Sequence, residues 1–135
     1  MHQGGLPQEI LGLVHLRTSQ INGCGPCVRI GVDHAVRAGE SPERLHQLAA
    51  WHDASCYTDA ERAALAVAEA ATRLSDRSGP AVPDDVWDEA ARHFDERQLA
   101  ALIVTVSTTN FLNRLNTTTG SRSARRRRPW NATVG

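Results

Sequence analysis

Residues 16–27 read LRTSQINGCGPC and join two predicted helices. Apolar residues at helical spacing predict a first helix over 7–21, which an Asn-Gly pair ends. A second helix is predicted over 25–38, with a proline in its first turn. The stretch therefore places two cysteines three residues apart, Cys24 and Cys27, at the N-terminus of a helix.

The rest of the chain also has helical signals. Ser41-Pro42-Glu43 is a helix start, Thr58 to Glu61 forms a capping box, and Asp95 can cap a last helix. No strand pattern or internal repeat stands out, although Ile103–Thr109 is rich in β-branched residues. The sequence predicts an all-α fold of about six helices. The predicted ranges are 7–21, 25–38, 41 to 48 or 51, 58–74, 86–94 and 96–115, with a loop over 75–83.

Charge divides the chain into two parts. Residues 1–120 carry ten Arg and fifteen acidic residues, whereas residues 121–135 carry five Arg and no acidic residue. This predicts a mildly acidic helical domain over 1–120 and a disordered Arg-rich tail over 121–135. Aromatic residues make up only 4% of the chain, and no nucleic-acid-binding fold accompanies the run Arg125–Arg128. We therefore expect a solvated tail and no nucleic-acid partner.

Composition also indicates a compartment. No apolar run approaches the ~20 residues of a membrane helix, and the first residues lack the pattern of a signal peptide. We expect a cytoplasmic protein with no membrane partner. Three cysteines are too few for a disulfide-rich secreted scaffold. In a reducing compartment, a close cysteine pair is more typical of redox chemistry or metal binding.

Cys24 and Cys27 have the spacing of a redox pair. Two cysteines at i and i+3 can close a small disulfide with little backbone movement. A helix N-terminus stabilises a thiolate and can lower a cysteine pKa from ~8.5 to ~7 or below. The second thiol can then resolve a sulfenic acid or a mixed disulfide. The alternative is a pair of inert thiols at a helix start.

A zinc site is another possible use of these cysteines. Cys24, Cys27 and His34 could supply three ligands, with Cys56 or His52 as the fourth. The chain has no second CxxC and no HxxxH at zinc-finger spacing. A thioredoxin fold, which shares the tetrapeptide, would need a strand before the motif, where the sequence predicts a helix.

The motif in residues 16–27 resembles the core motif of the alkyl hydroperoxidase D-like branch of the carboxymuconolactone decarboxylase superfamily. The resemblance covers about residues 6–118. It continues through Arg37-Ala38-Gly39-Glu40, Ala50-Trp51, residues 58–66 and Asn113-Arg114-Leu115-Asn116. It implies an all-helical bundle, homo-oligomers (trimers or hexamers), and no metal or organic cofactor.

The resemblance also implies a chemistry. CxxC members act as thiol peroxidases or disulfide reductases, with a hydroperoxide as substrate and an external dithiol or disulfide reductant. The second cysteine, here Cys27, attacks the peroxide, and the first, here Cys24, resolves it. Lactone decarboxylation is disfavoured because that branch generally lacks the CxxC.

The chain departs from the family pattern at the proton relay. Peroxidase members carry a glutamate twelve residues before the first cysteine and a histidine four after the second; here these are Gly12 and Gly31. His15 and His34 follow one helical turn later, near the same faces. A water between them and Cys27 could restore base assistance, whereas the alternative is that both are ordinary partly buried or interface histidines.

The sequence thus predicts a thiol peroxidase with Cys27, Cys24, His34 and His15 as catalytic residues. The alternative is a non-peroxidatic relative that acts as a redox sensor, a disulfide reductase or a binding oligomer. Among other residues, Arg17 is expected to order helix packing or form an ion pair, and Cys56 to be a packing thiol. Core or subunit contacts are expected of Trp51, Trp87, Phe94 and Phe111.

Overall fold

The computed structural model describes residues 5–120; the predicted tail over 121–135 lies outside them. Residues 5–120 contain six α-helices and no strand, which confirms the all-α prediction. A 3-10 turn over Leu48–Ala50 follows α3, and a π-helical turn over Asn116–Gly120 follows α6. The helices are α1 (Gln8–Asn22), α2 (Gly25–Arg37), α3 (Pro42–Gln47), α4 (Asp59–Thr72), α5 (Asp84–His93) and α6 (Glu96–Leu115).

The junction between α1 and α2 sets the position of the cysteines. Gly23 ends α1 in the left-handed conformation (φ 67°), which favours glycine because it has no Cβ. Its backbone N–H donates to the Gln20 carbonyl, so the last turn of α1 is closed. Cys24 follows in extended conformation as the N-cap of α2. The chain therefore reverses direction between α1 and α2, and the CxxC lies beside the C-terminal end of α1.

Local capping explains where α4 and α6 begin. The Thr58 hydroxyl accepts the Glu61 backbone N–H (3.2 Å), and the Glu61 carboxylate accepts that of Thr58 (3.3 Å). Asp95 and Gln98 form the same reciprocal pair at α6 (2.8 and 3.0 Å). Both arrangements satisfy backbone donors that a helix start leaves unpaired.

The central helix of the bundle is α1, which packs against α2, α4 and α6. One apolar cluster joins α1 to α4, α5 and α6 and includes Val14 and Leu102. A second joins α1 to α3, the 3-10 turn and α4, and includes Leu16 and Leu48. Because α1 is buried on several sides, the packing of the core fixes the start of α2.

The predicted helix ends differ from the structure by up to two residues, except that the longer alternative for the third helix, to residue 51, passes the end of α3 at Gln47 and of the 3-10 turn at Ala50. The C-terminal end of α4 lies at Thr72 rather than at residue 74, and α5 begins at Asp84 rather than at residue 86. The β-branched part of α6 is helical: the hydroxyls of Thr105 and Thr109 donate to the backbone carbonyls four residues earlier (2.8 and 2.7 Å). These hydrogen bonds satisfy both hydroxyls within the helix.

The aromatic residues divide into two groups. Trp51 and Phe94 are buried, as predicted for core residues, whereas Trp87 and Phe111 are 37% and 62% exposed. The core alternative therefore does not hold for Trp87 on α5 and Phe111 on α6. Their role as subunit contacts stays a prediction. Within residues 5–120, no helix is both long and apolar enough to cross a membrane.

Candidate active site

The two motif cysteines form a disulfide at the start of α2. Cys24 Sγ and Cys27 Sγ are 2.07 Å apart, and the Cα atoms are 5.3 Å apart. The backbone N–H of Cys27 donates to Cys24 Sγ (3.3 Å). Cys24 is fully buried, whereas Cys27 is 5% exposed. Of the two sulfur-bearing residues, Cys27 is thus the more accessible.

A side-chain amide from the C-terminal end of the bundle touches this disulfide. Asn116 Nδ2 lies 3.4 Å from Cys27 Sγ, across 89 residues of sequence. Sequence reasoning did not include Asn116 among the site residues. Asn116 belongs to the segment Asn113–Asn116 that supports the family resemblance. That resemblance does not indicate a contact between this segment and the cysteines.

A ladder of buried and half-buried amides holds the ends of α1 and α6 together near this contact. Asn113 is 1% exposed, and its Nδ2 donates to Ser19 Oγ (3.1 Å). Asn22 Nδ2 donates to Asn113 Oδ1 (3.0 Å) and to Asn110 Oδ1 (2.9 Å). The beginning of the turn that carries Asn116 is therefore anchored to the helix that precedes the CxxC.

His15 lies between α2 and α6. Its Nδ1 is 3.4 Å from Thr109 Oγ1, and the backbone of Cys27 is near enough to influence its pKa. Burial lowers the pKa of His15 below its usual value of 6.5, and the nearby His34 lowers it further. The backbone of Cys27 opposes this shift without cancelling it. His15 is therefore neutral at neutral pH.

The imidazole of His15 packs directly against Gly31. A Cβ at position 31 would stand 3.1 Å from His15 Cδ2, 3.5 Å from its Nε2 and 3.3 Å from Leu16 Cδ1. A side chain at position 31 would therefore compete with the imidazole for space. At Gly12, by contrast, an added Cβ would have no neighbour within 4 Å.

His34 is exposed and lies one helical turn after Gly31 on α2. Together with His15, Gly12 and Gly31, it lines a cleft of about 330 Å³ between α1, α2 and α6. The structure thus brings both predicted histidines to one cleft.

The structure does not assemble the alternative zinc site. Within residues 5–120, no group of three or more His, Cys, Asp and Glu side chains is arranged to hold a metal ion. The sulfurs of Cys24 and Cys27 bond each other, and His52 stacks on Trp51 (3.6 Å between ring centroids). Cys56 is partly buried against the second apolar cluster, in agreement with the predicted packing role.

Arg17 forms the ion pair that the sequence suggested. Its Nη2 lies 3.1 Å from Glu69 Oε1, with both side chains largely buried. Glu69 Oε2 accepts the Trp51 indole N–H (2.7 Å), so one carboxylate ties α1 to the segment before α4. Burial works against the charged carboxylate, but the bonds from Trp51 and Arg17 outweigh it and lower the pKa of Glu69.

Comparisons with known proteins agree with this architecture. The model of the carboxymuconolactone decarboxylase family matches residues 1–70. The uncharacterized protein YdfG of Bacillus subtilis (strain 168) is 32% identical over 122 residues, which are 90% of this chain and 81% of that protein. The uncharacterized protein YnjA of Escherichia coli (strain K12) is 33% identical over 112 residues, which are 82% of this chain and 59% of that protein.

A crystal structure gives a further comparison. It is that of ATU0492 from Agrobacterium tumefaciens, a protein of unknown function provisionally assigned to antioxidant defence as AhpD. It superposes with a TM-score of 0.81 at 29% identity, over 87% of this chain and 78% of that one. The similarity therefore extends to most of the helical bundle.

Proposed function

The chain belongs to the carboxymuconolactone decarboxylase family, and we propose that it is an alkyl hydroperoxidase D-like thiol peroxidase that reduces hydroperoxides through Cys24 and Cys27. The observation that carries this proposal is the bonded CxxC pair at the N-terminus of α2, beside a histidine of lowered pKa. A disulfide between neighbouring residues at a helix start is the oxidised product of such a cycle.

The proposed cycle consumes one dithiol for each peroxide. The Cys27 thiolate attacks the terminal oxygen of ROOH; the O–O bond breaks, and the alkoxide takes a proton to leave as ROH. Cys27 is then a sulfenic acid. Cys24 attacks its sulfur, so that the S–S bond forms and the hydroxyl leaves as water. An external dithiol returns both cysteines to the thiol form and is itself oxidised to a disulfide.

Burial supports the assignment of the two cysteines. Cys27 is slightly exposed and Cys24 is fully buried, so a peroxide reaches Cys27 first. Cys24 lies behind it as the N-cap of α2, within bonding distance. The family resemblance gives the same roles, with Cys27 as the attacking and Cys24 as the resolving residue.

We assign the proton transfer to His15. A general base must be unprotonated at the working pH, and the lowered pKa of His15 meets that condition. In this proposal it accepts the Cys27 thiol proton and returns it to the departing alkoxide. His34, exposed at the same cleft, links His15 to solvent through water.

We further propose that the chain works as a homo-oligomer, a trimer or hexamer, in the cytoplasm, where a dithiol reductant recycles it. Most of the exposed large apolar side chains lie on α2 and α6, and their contact with another subunit would remove them from water. They are Ile30 and Val36 on α2, and Ile103, Val104, Phe111, Leu112 and Leu115 on α6. Light scattering should give the mass, and Phe111→Asp should reduce it.

A specific observation supports a second candidate. The positions of the usual relay residues are Gly12 and Gly31, and the cleft between them is open. In this alternative the CxxC is a redox sensor or a disulfide reductase, and peroxide is not its substrate. The same disulfide forms, but by exchange with a protein or small-molecule disulfide.

Peroxide consumption with a dithiol reductant tests the two candidates. We expect Cys27→Ser to abolish it, Cys24→Ser to stop the disulfide cycle, and the control Cys56→Ser to keep the wild-type rate. Denatured protein should show one free thiol when oxidised and three when reduced. Equal consumption by wild type and Cys27→Ser would exclude the peroxidase, and a disulfide that cycles without peroxide would favour the alternative.

A further inference from the structure

The Asn116 side chain is aimed at the sulfur that we assign as the attacking atom. We propose that Asn116 is a catalytic residue whose amide N–H donates a hydrogen bond to the Cys27 thiolate and stabilises it. This inference rests on the proposed function only for the choice of Cys27 as the reactive thiol. The contact itself is the 3.4 Å approach of Asn116 Nδ2 to Cys27 Sγ.

The direction of this hydrogen bond is fixed by chemistry. The Asn116 nitrogen can only donate, so the sulfur is the acceptor. A thiolate accepts more strongly than a thiol or a disulfide sulfur because it is charged. The bond therefore favours the deprotonated form of Cys27 and lowers its pKa. Because this hydrogen bond is stronger to the thiolate than to the thiol, it raises the fraction of Cys27 that is a nucleophilic thiolate at neutral pH.

The two sulfurs differ in the donors that they receive. Cys24 Sγ accepts a backbone N–H, that of Cys27. Cys27 Sγ accepts a side-chain amide from another helix end. Because Cys27 is only 5% exposed, water can solvate its thiolate little, and the protein must supply the compensating donor. Asn116 meets this need at the sulfur itself.

The amide is held in place before any reaction occurs. Asn116 begins the turn that follows α6, and Asn113, one turn earlier, is bonded to Ser19 and Asn22 of α1. Thr117 Oγ1 also donates to the Asn113 carbonyl (2.8 Å), which ties the turn to the same residue. A donor fixed in this way needs little reorganisation when charge develops on the sulfur.

The test measures the pKa of the Cys27 thiol in a variant that has no other cysteine. In a Cys24→Ser, Cys56→Ser background, Cys27 is the single thiol, and serine keeps an N-cap hydroxyl at position 24. The pH dependence of alkylation by iodoacetamide then gives the pKa of Cys27 without any peroxide. We expect Asn116→Ala to raise that pKa by about one unit. Asn116→Asp should raise it further, because a carboxylate repels the thiolate.

Thr118→Ala is the matched control, since Thr118 is exposed in the same turn, and it should leave the pKa unchanged. An unchanged pKa in Asn116→Ala, with the fold intact by circular dichroism, would overturn the inference. If that variant does not fold, the near-isosteric Asn116→Asp decides, and a pKa equal to or below that of the parent refutes the proposal.

The outcome separates this inference from the peroxidase proposal. A pKa shift in a protein that consumes no peroxide would support the role of Asn116 and refute the peroxidase. Peroxide consumption by the wild type, with no pKa shift in Asn116→Ala, would support the peroxidase and refute the role of Asn116.

Discussion

The imidazole of His15 in α1 occupies the space next to Gly31 in α2, where a Cβ would stand 3.1 Å from His15 Cδ2. The family resemblance gives peroxidase members a histidine at the position of Gly31. Here the imidazole comes from the neighbouring helix instead, and the glycine leaves room for it. A side chain at position 31 would crowd this imidazole, so the glycine at 31 and the placement of His15 fit together.

Replacement of Gly31 by alanine should stabilise the protein less than the same change at Gly12. Alanine in a helix interior is favoured over glycine by about 1 kcal/mol. At Gly12 an added Cβ has no neighbour within 4 Å, so Gly12→Ala should show most of that gain. At Gly31 the crowding by His15 and Leu16 offsets it. Urea unfolding of both variants measures the difference, and equal gains would contradict the crowding.

A double-mutant cycle can show that His15 causes this difference. In a His15→Ala background the nearest neighbour of the added methyl is gone, so Gly31→Ala should stabilise more than it does in the wild type. Gly12→Ala should have the same effect in both backgrounds. If the effects of the substitutions at 15 and 31 on the free energy of unfolding simply add, the imidazole moves aside for the methyl group at no energetic cost.

Stability should fall in acid through His15. Its pKa is below 6.5 in the folded state because of burial and the nearby His34, whereas the unfolded chain protonates near 6.5. As the pH falls below 6.5, the unfolded state binds a proton that the folded state does not, so the free energy of unfolding decreases until the folded pKa is passed. Above 6.5 this contribution is constant.

His15→Gln should flatten the stability profile between the two pKa values. His46→Gln, at an exposed site, is the matched control and should leave the profile as it is in the wild type. Unfolding measured in urea at a series of pH values gives the slope. An identical slope in wild type and His15→Gln would show that the pKa of His15 is not lowered by the fold.

Local signals made the helices predictable. The pairs Thr58–Glu61 and Asp95–Gln98 lie three residues apart, and Gly23 lies directly at the end of α1, so each signal is contained in a short window. The disulfide is local for the same reason, since its cysteines are three residues apart. Helix ends are less predictable because tertiary contacts and the following loops determine the residue at which each helix ends.

The rest of the site depends on contacts between distant residues. Asn116 meets Cys27 across 89 residues, and no periodicity relates the two. The sequence placed His15 near the faces of the missing relay, but its contact with Gly31 depends on how α1 packs on α2. The exposure of Phe111 likewise follows from which face of α6 meets the core, a choice that the sequence does not reveal because apolar residues lie on both the buried and the exposed side of this helix, such as Leu102 and Ile103.

Removal of the Glu69 carboxylate should destabilise the protein markedly. Glu69→Ala leaves the largely buried Arg17 guanidinium without its acidic partner and the Trp51 indole N–H without its acceptor. Loss of one partner of a buried ion pair costs about 3 kcal/mol or more, and partial exposure here reduces this to about 2 kcal/mol. Chemical unfolding monitored by tryptophan fluorescence measures the change.

Glu89 provides the comparison for Glu69. It pairs with Arg92 and His93 on the exposed face of α5, where solvent screens the charges, so Glu89→Ala should leave the unfolding midpoint nearly unchanged. The pKa of Glu69 is lowered in the folded state, so its stabilisation is present above pH 4.5 and is lost as the pH falls through the folded pKa. Equal midpoints for the two variants would contradict the central role of Glu69.

Asn113→Ala should affect both stability and the reactive thiol. The substitution removes the acceptor of one Asn22 N–H and the donor to Ser19 Oγ, in a fully buried setting, so a loss of about 2 kcal/mol is expected. It also frees the turn that begins at Asn116, so the pKa of Cys27 should rise, but less than in Asn116→Ala. Arg97→Ala, at an exposed position earlier in α6, should change neither quantity appreciably.

The two readouts for Asn113→Ala distinguish anchoring from simple packing. If Asn113 anchors the amide of Asn116, the alkylation pKa of Cys27 shifts under conditions in which the variant is still fully folded. If Asn113 only fills space, the unfolding midpoint falls while the pKa of Cys27 stays at the parent value. That second result would mean that the turn over Asn116–Gly120 holds its first residue against the sulfur independently of the amide ladder.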